Sequence, residues 1–348
     1  MSSLYRNALL LKVQNWEYWP WQLFYIPIFF YFIWLVIKSR SLFFFFNSNP
    51  GIESGGLLIE SKKKILDLLP AHLIPKTEYF EYPSSLDEVI ESMKTKLIRF
   101  PLIVKPNYGE RGWKVEKIED VNELKVYLKN LRIDFLIQEF IDYPIELGVF
   151  YYRMPGEYNG KISSIVIKEL LFVIGDGRSS VRELILENSR AFIHFNEIKK
   201  RHPDLMNLIP LNGEKIELVP IGNHSRGTTF LDGCHLISPE LTSVFNKISL
   251  ETRGFNYGRF DVRCKSIEEL NKGRNFKILE LNGAKSEPAH IYQPGFSIRS
   301  AYKTIFFHWN ILYQISIANK NLGIAFPSYK EGMKTWRKYK FYKRLRRN

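Results

Sequence analysis

GRFDVRC (Gly258–Cys264) and KILELNG (Lys277–Gly283) are the two stretches on which the fold turns. Each reads as a strand with apolar residues alternating against polar ones. In Glu280–Leu281–Asn282 the residues two apart point to the same face, so a carboxylate and an amide project together. Asp261 on a paired strand would complete a cluster of hard oxygen donors. Such a cluster suits Mg²⁺, which prefers oxygen ligands and shares its shell with substrate phosphates. Arg259 lies on the face of Asp261, where a cation beside phosphate can neutralise charge developing in a transition state. Taken alone, an Asp and an E-x-N on neighbouring strands also fit solvated edge residues.

The upstream half of the chain adds a phosphate side. FPLIVKPNYGERGWKV (Phe100–Val115) opens with a short apolar run, Pro101–Val104, that suits a buried strand. Lys105 ends it and Pro106 stops it. Asn107, Gly109 and Gly112 follow, and a second strand is expected at Trp113–Val115. A glycine-bearing loop between strands can approach a polyphosphate closely and offer backbone N–H donors, and Lys105 adds a point charge. Neither GxxxxGK[ST] nor GxGxxG is present, so neither a P-loop nor a Rossmann fingerprint is supported. By itself the piece also fits an ordinary hairpin with a surface lysine. FLIQEF (Phe135–Phe140) reads as the next strand. Glu139 at its end suits adenine held through the strand edge, and Glu146, beyond the Pro144 turn, suits ribose hydroxyls. IVIKEL places Lys168 on a strand, and Ser180 with Glu183 fits a capping box after GDGRSS.

In this order, ESKKKI…IPKT, FPLIVKPNYGERG, IQEFI…IE, IKEL, GRFDVR and ILELNG resemble an ATP-grasp ligase. The likeness is to D-alanine–D-alanine ligases and to the cyanophycin synthetase and glutamate ligase branch, the latter through VIGDGRSSVRELI and Asn223–Leu241. It runs from Glu60 to Ile317. The resemblance implies an α+β fold of two lobes gripping ATP, and a Mg²⁺-dependent ligase joining a carboxylate to an amine, with Mn²⁺ as a substitute metal. It implies that Lys62 and Lys105 contact phosphates, with Lys63 and Lys64 as alternatives to Lys62. Asn107, Gly109 and Gly112 would cover the phosphates. Gln138, Glu139 and the backbone at Ile141 would hold adenine, and Glu146 the ribose. Lys168 would sit near the γ-phosphate or the substrate. Asp261, Glu280 and Asn282 would hold Mg²⁺, and Arg259 would stabilise the acyl-transfer oxyanion. Two departures stand out. GAKSEPAHIYQPG (Gly283–Gly295) replaces the family's Pro-Gly-Met-Thr-like loop, and with Lys285, Glu287 and His290 it makes a different acceptor pocket, so poor D-alanine–D-alanine formation is expected. The family's usual N-terminal α/β domain is also missing from the roughly 60 residues before ESKKKI.

Those residues read as a membrane segment instead. Pro20–Ile37 is 18 residues without a charge; as one helix it would span about 27 Å, close to the ~30 Å hydrocarbon layer. Trp16, Tyr18, Trp19 and Trp21 gather at one end like an interfacial belt. Pro27 and a second apolar patch, Leu42–Phe46, leave open whether the segment spans the membrane or lies in its plane. No signal-peptide pattern is evident. Lys330–Asn348 holds nine Lys/Arg against one Glu, interleaved with aromatics. This basic tail suits an anionic lipid surface; RNA binding and a solvated tail are its rivals. Lys38, Arg40 and Lys62–Lys64 follow the apolar run while Arg6 and Lys12 precede it, which puts the domain after it in the cytosol, at the inner membrane.

Composition agrees. The formal charge is +14, and hydrophobic residues are 45% of 348, enough for a large core. Cys234 and Cys264 have no metal or disulfide spacing, as in a reducing compartment. His224 and His290 lie in the loops of interest and fit either substrate contact or a structural role. Helices are expected from Ser85 to Leu97, Asp120 to Leu131, Ser238 to Thr252 and Ser300 to Ala318. The expected organisation is a membrane-associated segment over 1–59, an ATP-grasp domain over 60–318 and a basic tail over 319–348. The partners expected are ATP, a small carboxylate–amine pair and lipid, with no nucleic acid and with the oligomeric state open. A nucleotide-binding membrane scaffold without turnover is the alternative function.

Overall fold

Two antiparallel sheets face each other across a cleft in the computed structural model, which describes residues 16–58, 60–110, 112–219, 222 and 227–345. The smaller sheet is built from β1 (Thr77–Phe80), β2 (Leu102–Pro106), β3 (Glu116–Ile118) and β4 (Phe135–Glu139), in the order β1-β4-β2-β3. The helices Leu86–Lys96 and Val121–Lys129 cover one face, burying Val89, Met93 and Leu124 against Val104, Phe135 and Ile137. Both start where the sequence puts them. Ser85 and Glu88 form a reciprocal capping box, and the Asp120 carboxylate accepts from the Asn122 and Glu123 amides. The strand expected at Trp113–Val115 forms slightly later, as β3.

The larger sheet follows with β5 (Ile145–Tyr152) and β6 (Lys161–Glu169). A separate ribbon pairs β7 (Phe172–Ile174) with β8 (Lys215–Glu217). β9 (Thr229–Asp232), β10 (Tyr257–Cys264) and β11 (Phe276–Asn282) then complete the order β11-β10-β5-β6-β9. The period-2 reading of β10 holds. Phe260, Val262 and Cys264 enter the core beneath the Pro239–Glu251 helix, with Phe245 and Phe255. Arg259, Asp261 and Arg263 face the cleft. The register sets Asp261 opposite Glu280 and Arg259 opposite Asn282, and breaks between Asp261 and Val262. Leu279 is the extra residue of that bulge. A bulge leaves a residue out of the ladder, and the Leu279 carbonyl accepts instead from Lys105 Nζ at 3.2 Å.

The described N-terminal residues pack into this fold. Phe44 is fully buried and packs with Phe150, Tyr257 and Ile315 in one cluster. Buried Asn49 ties the segment to β10. Its amide donates to the Gly55 and Tyr257 carbonyls at 2.9 and 2.8 Å, and its oxygen accepts from the Asn256 and Tyr257 amides. The expected boundary at 59 therefore falls inside a packed region. The apolar run is also divided: Trp21–Phe24 and Ile26–Ser39 are separate helices joined at Tyr25. Pro27 has no N–H to continue the ladder, and the second helix, at 14 residues, is about 21 Å long. Among the described residues no helix is long and apolar enough to cross a membrane, so of the two alternatives the sequence leaves open the spanning one is not supported. One side of Ile26–Ser39 is buried against the Ile298–Asn321 helix through Ile28 and Leu35. The other side presents Ile26, Phe29, Phe30, Ile33 and Ile37 to solvent, with Phe30 66% and Ile37 69% exposed.

The basic tail folds back as a 17-residue helix, Tyr329–Leu345. Met333, Trp336 and Tyr339 pack on the cluster around Phe43 and Phe44. Gly332 sits against the Phe43 ring, where any side chain would run into it. Tyr342 reaches Tyr108 of the glycine loop, ring centroids 4.5 Å apart, and Lys338 ion-pairs with Glu53 at 3.7 Å. Arg346 and Arg347, like Arg6, Lys12 and His224, lie outside the described residues.

Candidate active site

The cleft between the sheets holds a cavity of about 660 Å³, within the range of small-molecule sites. Of the sequence-predicted residues, Lys62, Lys105, Gly109, Gly112, Gln138, Glu139, Ile141, Glu146, Lys168, Arg259, Asp261, Glu280 and Asn282 all line it. Asn107 does not. Its side-chain oxygen accepts from Ser61 Oγ and from the Lys63 amide, so it anchors the short Lys62–Leu66 helix rather than covering phosphate. That anchoring also settles which lysine points inward. Lys62 Nζ lies 2.7 Å from the Gly109 carbonyl and 3.5 Å from Glu280, while Lys63 pairs with Asp67 and Lys64 with Glu53.

Lys105 is buried and donates to Gln138 Oε1 at 2.9 Å. Burial brings its ammonium down to about 8, with Glu280 opposing, so a polyanion entering the cleft would favour its charged form. Lys105→Ala is expected to weaken ATP binding about 10- to 100-fold, as removal of a charged partner does, and adenosine binding less than threefold. Calorimetric titration of both ligands checks this; equal losses would assign Lys105 to folding or adenine.

The floor is an ion-pair network. Lys168 Nζ lies 3.1 Å from Glu146 and 3.3 Å from Asp261. Arg259 grips both oxygens of Asp261 at 2.8 and 3.2 Å. Arg263 binds Glu146 at 2.9 Å and the Ile141 carbonyl at 2.8 Å, so that carbonyl is committed within the protein. Burial works against the charge on Asp261, but Arg259 and Lys168 outweigh it and hold the carboxyl below its usual range. Glu280 is likewise held low, with Lys62, Lys105 and Lys168 overcoming burial. Both are therefore carboxylates at neutral pH. Two carboxylates and the Asn282 amide form a hard-oxygen set suited to Mg²⁺, with coordination places left for phosphate oxygens and water. Among the described residues, no three His, Cys, Asp or Glu side chains gather as a metal cluster.

Several site residues escaped the sequence. Arg263 continues the alternation of Arg259 and Asp261, and that period was the available signal. Gly148 pairs with Asp261 across β5 and β10. A Cβ there would lie 2.7 Å from Val166 Cγ1, 3.0 Å from Arg259 Cδ and 3.1 Å from Asp261 Oδ1, so the glycine makes room for the Arg259–Asp261 pair. Glu60, two residues before Lys62, lines the cavity with its carboxylate 3.5 Å from the Gly283 amide. Burial pushes it up to about 7, with Lys285 and Lys62 opposing and Glu280 adding. Lys285 and Glu287 of the departing loop do line the cavity. His290 does not; it is buried edge-on to Phe296, a structural role. Trp16, Trp21, Phe24 and Tyr25 of the N-terminal segment form a wall with no counterpart in the sequence reading.

Residues 57–147 match the family model of the RimK-like ATP-grasp domain, so this part of the chain is of ATP-grasp type. No curated sequence matches significantly. Among solved structures, the chain is similar to a bifunctional glutathione synthetase from Pasteurella multocida, at 14% identity over 71% of this chain and 35% of that one, with a TM-score of 0.37. It is also similar to D-alanine–D-alanine ligase from Bacillus anthracis (17% identity, 77% and 69% covered, TM-score 0.42). A third is the VanG D-Ala:D-Ser ligase from Enterococcus faecalis (12%, 76% and 62%, TM-score 0.43). The chain spans about a third of the length of the bifunctional synthetase.

Proposed function

We propose that the protein is an ATP- and Mg²⁺-dependent carboxylate–amine ligase that forms an amide through an acyl phosphate, on an amino-acid, peptide or wall-precursor-like substrate. The observation that carries the reading is the convergence of Lys62, Lys105, Lys168 and Arg259 with Asp261, Glu280 and Asn282 on one cleft between two sheets. In this reading adenine lies along Gln138–Ile141, and the phosphates run past Lys62, Lys105 and the Gly109–Gly112 loop. Glu146, clamped between Lys168 and Arg263, faces the ribose. Asp261, Glu280 and Asn282 would hold Mg²⁺, or Mn²⁺ in its place, which when bound neutralises phosphate charge and orients it for in-line transfer. A substrate carboxylate attacks the γ-phosphorus, ADP departs, and an amine then displaces phosphate from the acyl carbon. Lys168 balances charge on the transferring phosphoryl group, and Arg259 faces the oxyanion of the tetrahedral intermediate. Positioning and electrostatics carry the phosphoryl step, with little covalent work for side chains. A panel of carboxylates and amines assayed for amine-dependent ADP release tests this. ATP binding without turnover on any pair would favour a nucleotide-binding scaffold.

The same reading includes attachment to the cytosolic face of a membrane, in its plane rather than through it. It is supported by the exposed apolar stripe from Ile26 to Ile37, by Lys38 and Arg40 at its end, and by the basic face of the Tyr329–Leu345 helix. Basic residues at an anionic leaflet contribute about 1 kcal/mol each, a salt-sensitive part; apolar insertion is salt-insensitive. Phe30→Glu with Ile37→Glu is expected to cut binding to anionic vesicles at least tenfold, and high salt to remove most of what remains. Co-sedimentation measures both. Unchanged binding by the double variant would exclude the stripe.

A further inference from the structure

The cavity does not end at the reacting groups. A chain of contacts leads from Asp261 away from the smaller sheet. Arg259 holds Asp261 and also donates to the Glu287 carbonyl at 3.3 Å. The Tyr292 hydroxyl donates to the Glu287 carboxylate at 2.6 Å. The Tyr292 ring lies 5.6 Å from that of Trp16. From there the wall is aromatic: Trp16 stacks on Phe24 at 4.9 Å, and Phe24 on Tyr302 at 4.9 Å. Trp16 is fixed by its indole N–H, which donates to the Phe296 carbonyl at 2.6 Å. This wall is a built surface, since stacked rings and a long-range hydrogen bond hold it against the Ile298–Asn321 helix.

A small polar amino acid has no use for such a wall. Its carboxylate and ammonium are answered by Arg259 and Glu287, which the contacts above set between Asp261 and the aromatics, and by Lys285, which lines the same cavity and ion-pairs with Glu110 of the glycine loop at 3.2 Å. Aromatic lining beyond the polar groups rewards apolar atoms, in proportion to the area removed from water. The wall is also continuous with the exterior stripe. Trp21 lines the cavity while remaining 52% exposed, and it stands at the head of the helix pair whose outer side carries Ile26, Phe30 and Ile37.

We infer that one of the two joined substrates is an amphiphile. Its polar reacting end sits at Arg259, Lys285 and Glu287, and its apolar chain runs along Trp16, Trp21, Phe24 and Tyr25 toward the lipid-facing stripe. This rests on the ligase reading and names the substrate class of that same site. It also gives the attachment a purpose, because a chain-bearing substrate dissolved in a membrane would reach the cleft without crossing water.

Two homologous series serve as probes below their micellar concentrations: N-acyl glycines from acetyl to decanoyl, and n-alkylamines from ethyl to decyl. Each is titrated by calorimetry into the full chain held with Mg²⁺ and a non-hydrolysable ATP analogue, without vesicles. In the series whose head group is accepted, each added methylene is expected to tighten binding about two- to fourfold, the reward for burying a CH₂. Trp21→Ala should flatten that gain, and Phe30→Ala, on the outer stripe, should keep it. Melting curves of both variants check that folding is intact. Affinity independent of chain length in both series would overturn the inference. So would a gain lost in Phe30→Ala but kept in Trp21→Ala, because the chain would then bind outside the cleft. The ATP analogue, titrated separately, tests the ligase reading on its own: nucleotide binding with flat series sinks only the amphiphile, whereas a chain-length gain with no nucleotide binding keeps the apolar site and sinks the ligase.

Discussion

Asp261→Asn is expected to cut ATP turnover at least 10²- to 10³-fold, the scale of losing one preorganised electrostatic group. It should also cost about 3–5 kcal/mol of stability, because one partner of a buried ion cluster is removed. The substitution keeps the shape of the side chain but leaves Lys168 and Arg259, with side chains 5% and 17% exposed, short of a counter-charge. Glu280→Gln separates the two effects. Its side chain is 35% exposed and its ion pair with Lys62 is 3.5 Å long, so its stability cost should be smaller than that of the more deeply buried Asp261, while turnover falls as in Asp261→Asn. Both variants should need more Mg²⁺ to reach half of their residual rate. Denaturant melts, ADP release and Mg²⁺ titration together decide the matter. Turnover near that of the wild type in both variants would remove Asp261 and Glu280 from the metal set.

Acid should destabilise the protein through His308. This residue is 3% exposed, with its ring edge-on to Phe150 at 4.4 Å and Nδ1 3.3 Å from the Tyr257 hydroxyl. Burial, helped by His290, pushes it down to about 3 from an ordinary 6.5. A depressed folded value means that the unfolded chain binds the proton first. The contribution is therefore fully present above pH 6.5 and is lost as pH falls from 6.5 toward 3. By pH 4 the loss should reach about 3 kcal/mol, and about 5 kcal/mol once both forms have titrated. Carboxylates titrate in the same window, so the measurement is a difference: His308→Gln should lose about 3 kcal/mol less than the wild type between pH 7 and pH 4. Parallel pH profiles of the two proteins would contradict the assignment.

What the sequence disclosed follows from what local rules can see. Asp261, Glu280, Asn282 and Arg259 were legible because a strand's period of two fixes which side chains share a face, and the helix caps were legible because Ser-x-x-Glu and Asp carry their own hydrogen-bond logic. Gly148 was not, because its reason is the side chain of Asp261 on another strand, more than a hundred residues away. Leu279 was not, because a bulge is a property of two strands together. The apolar N-terminal run could be read only in part for a related reason. Hydropathy records that a surface must be covered, not by what, and half of this one is covered by the Ile298–Asn321 helix. In the basic tail, Gly332, Met333, Trp336 and Tyr339 already mark one helical side at spacings of three and four. The density of lysine and arginine drew attention from that stripe.

The packing of the two ends on one another sets an order of events during synthesis. Phe24 and Ile28 are covered by Ile291, Ala301 and Ile305, which leave the ribosome roughly 270 residues later, or some 15–50 s at about 5–20 residues per second. Phe43 waits longer, for Met333 and Trp336. Throughout that interval one of the most aromatic segments of the chain is uncovered on both sides, not only on the side that stays exposed in the finished protein. A nascent chain in that state would meet lipid or a chaperone before it meets its own C-terminal helices. The glycine loop, touched by Tyr342 through Tyr108, gains that neighbour only after more than two hundred further residues have been made.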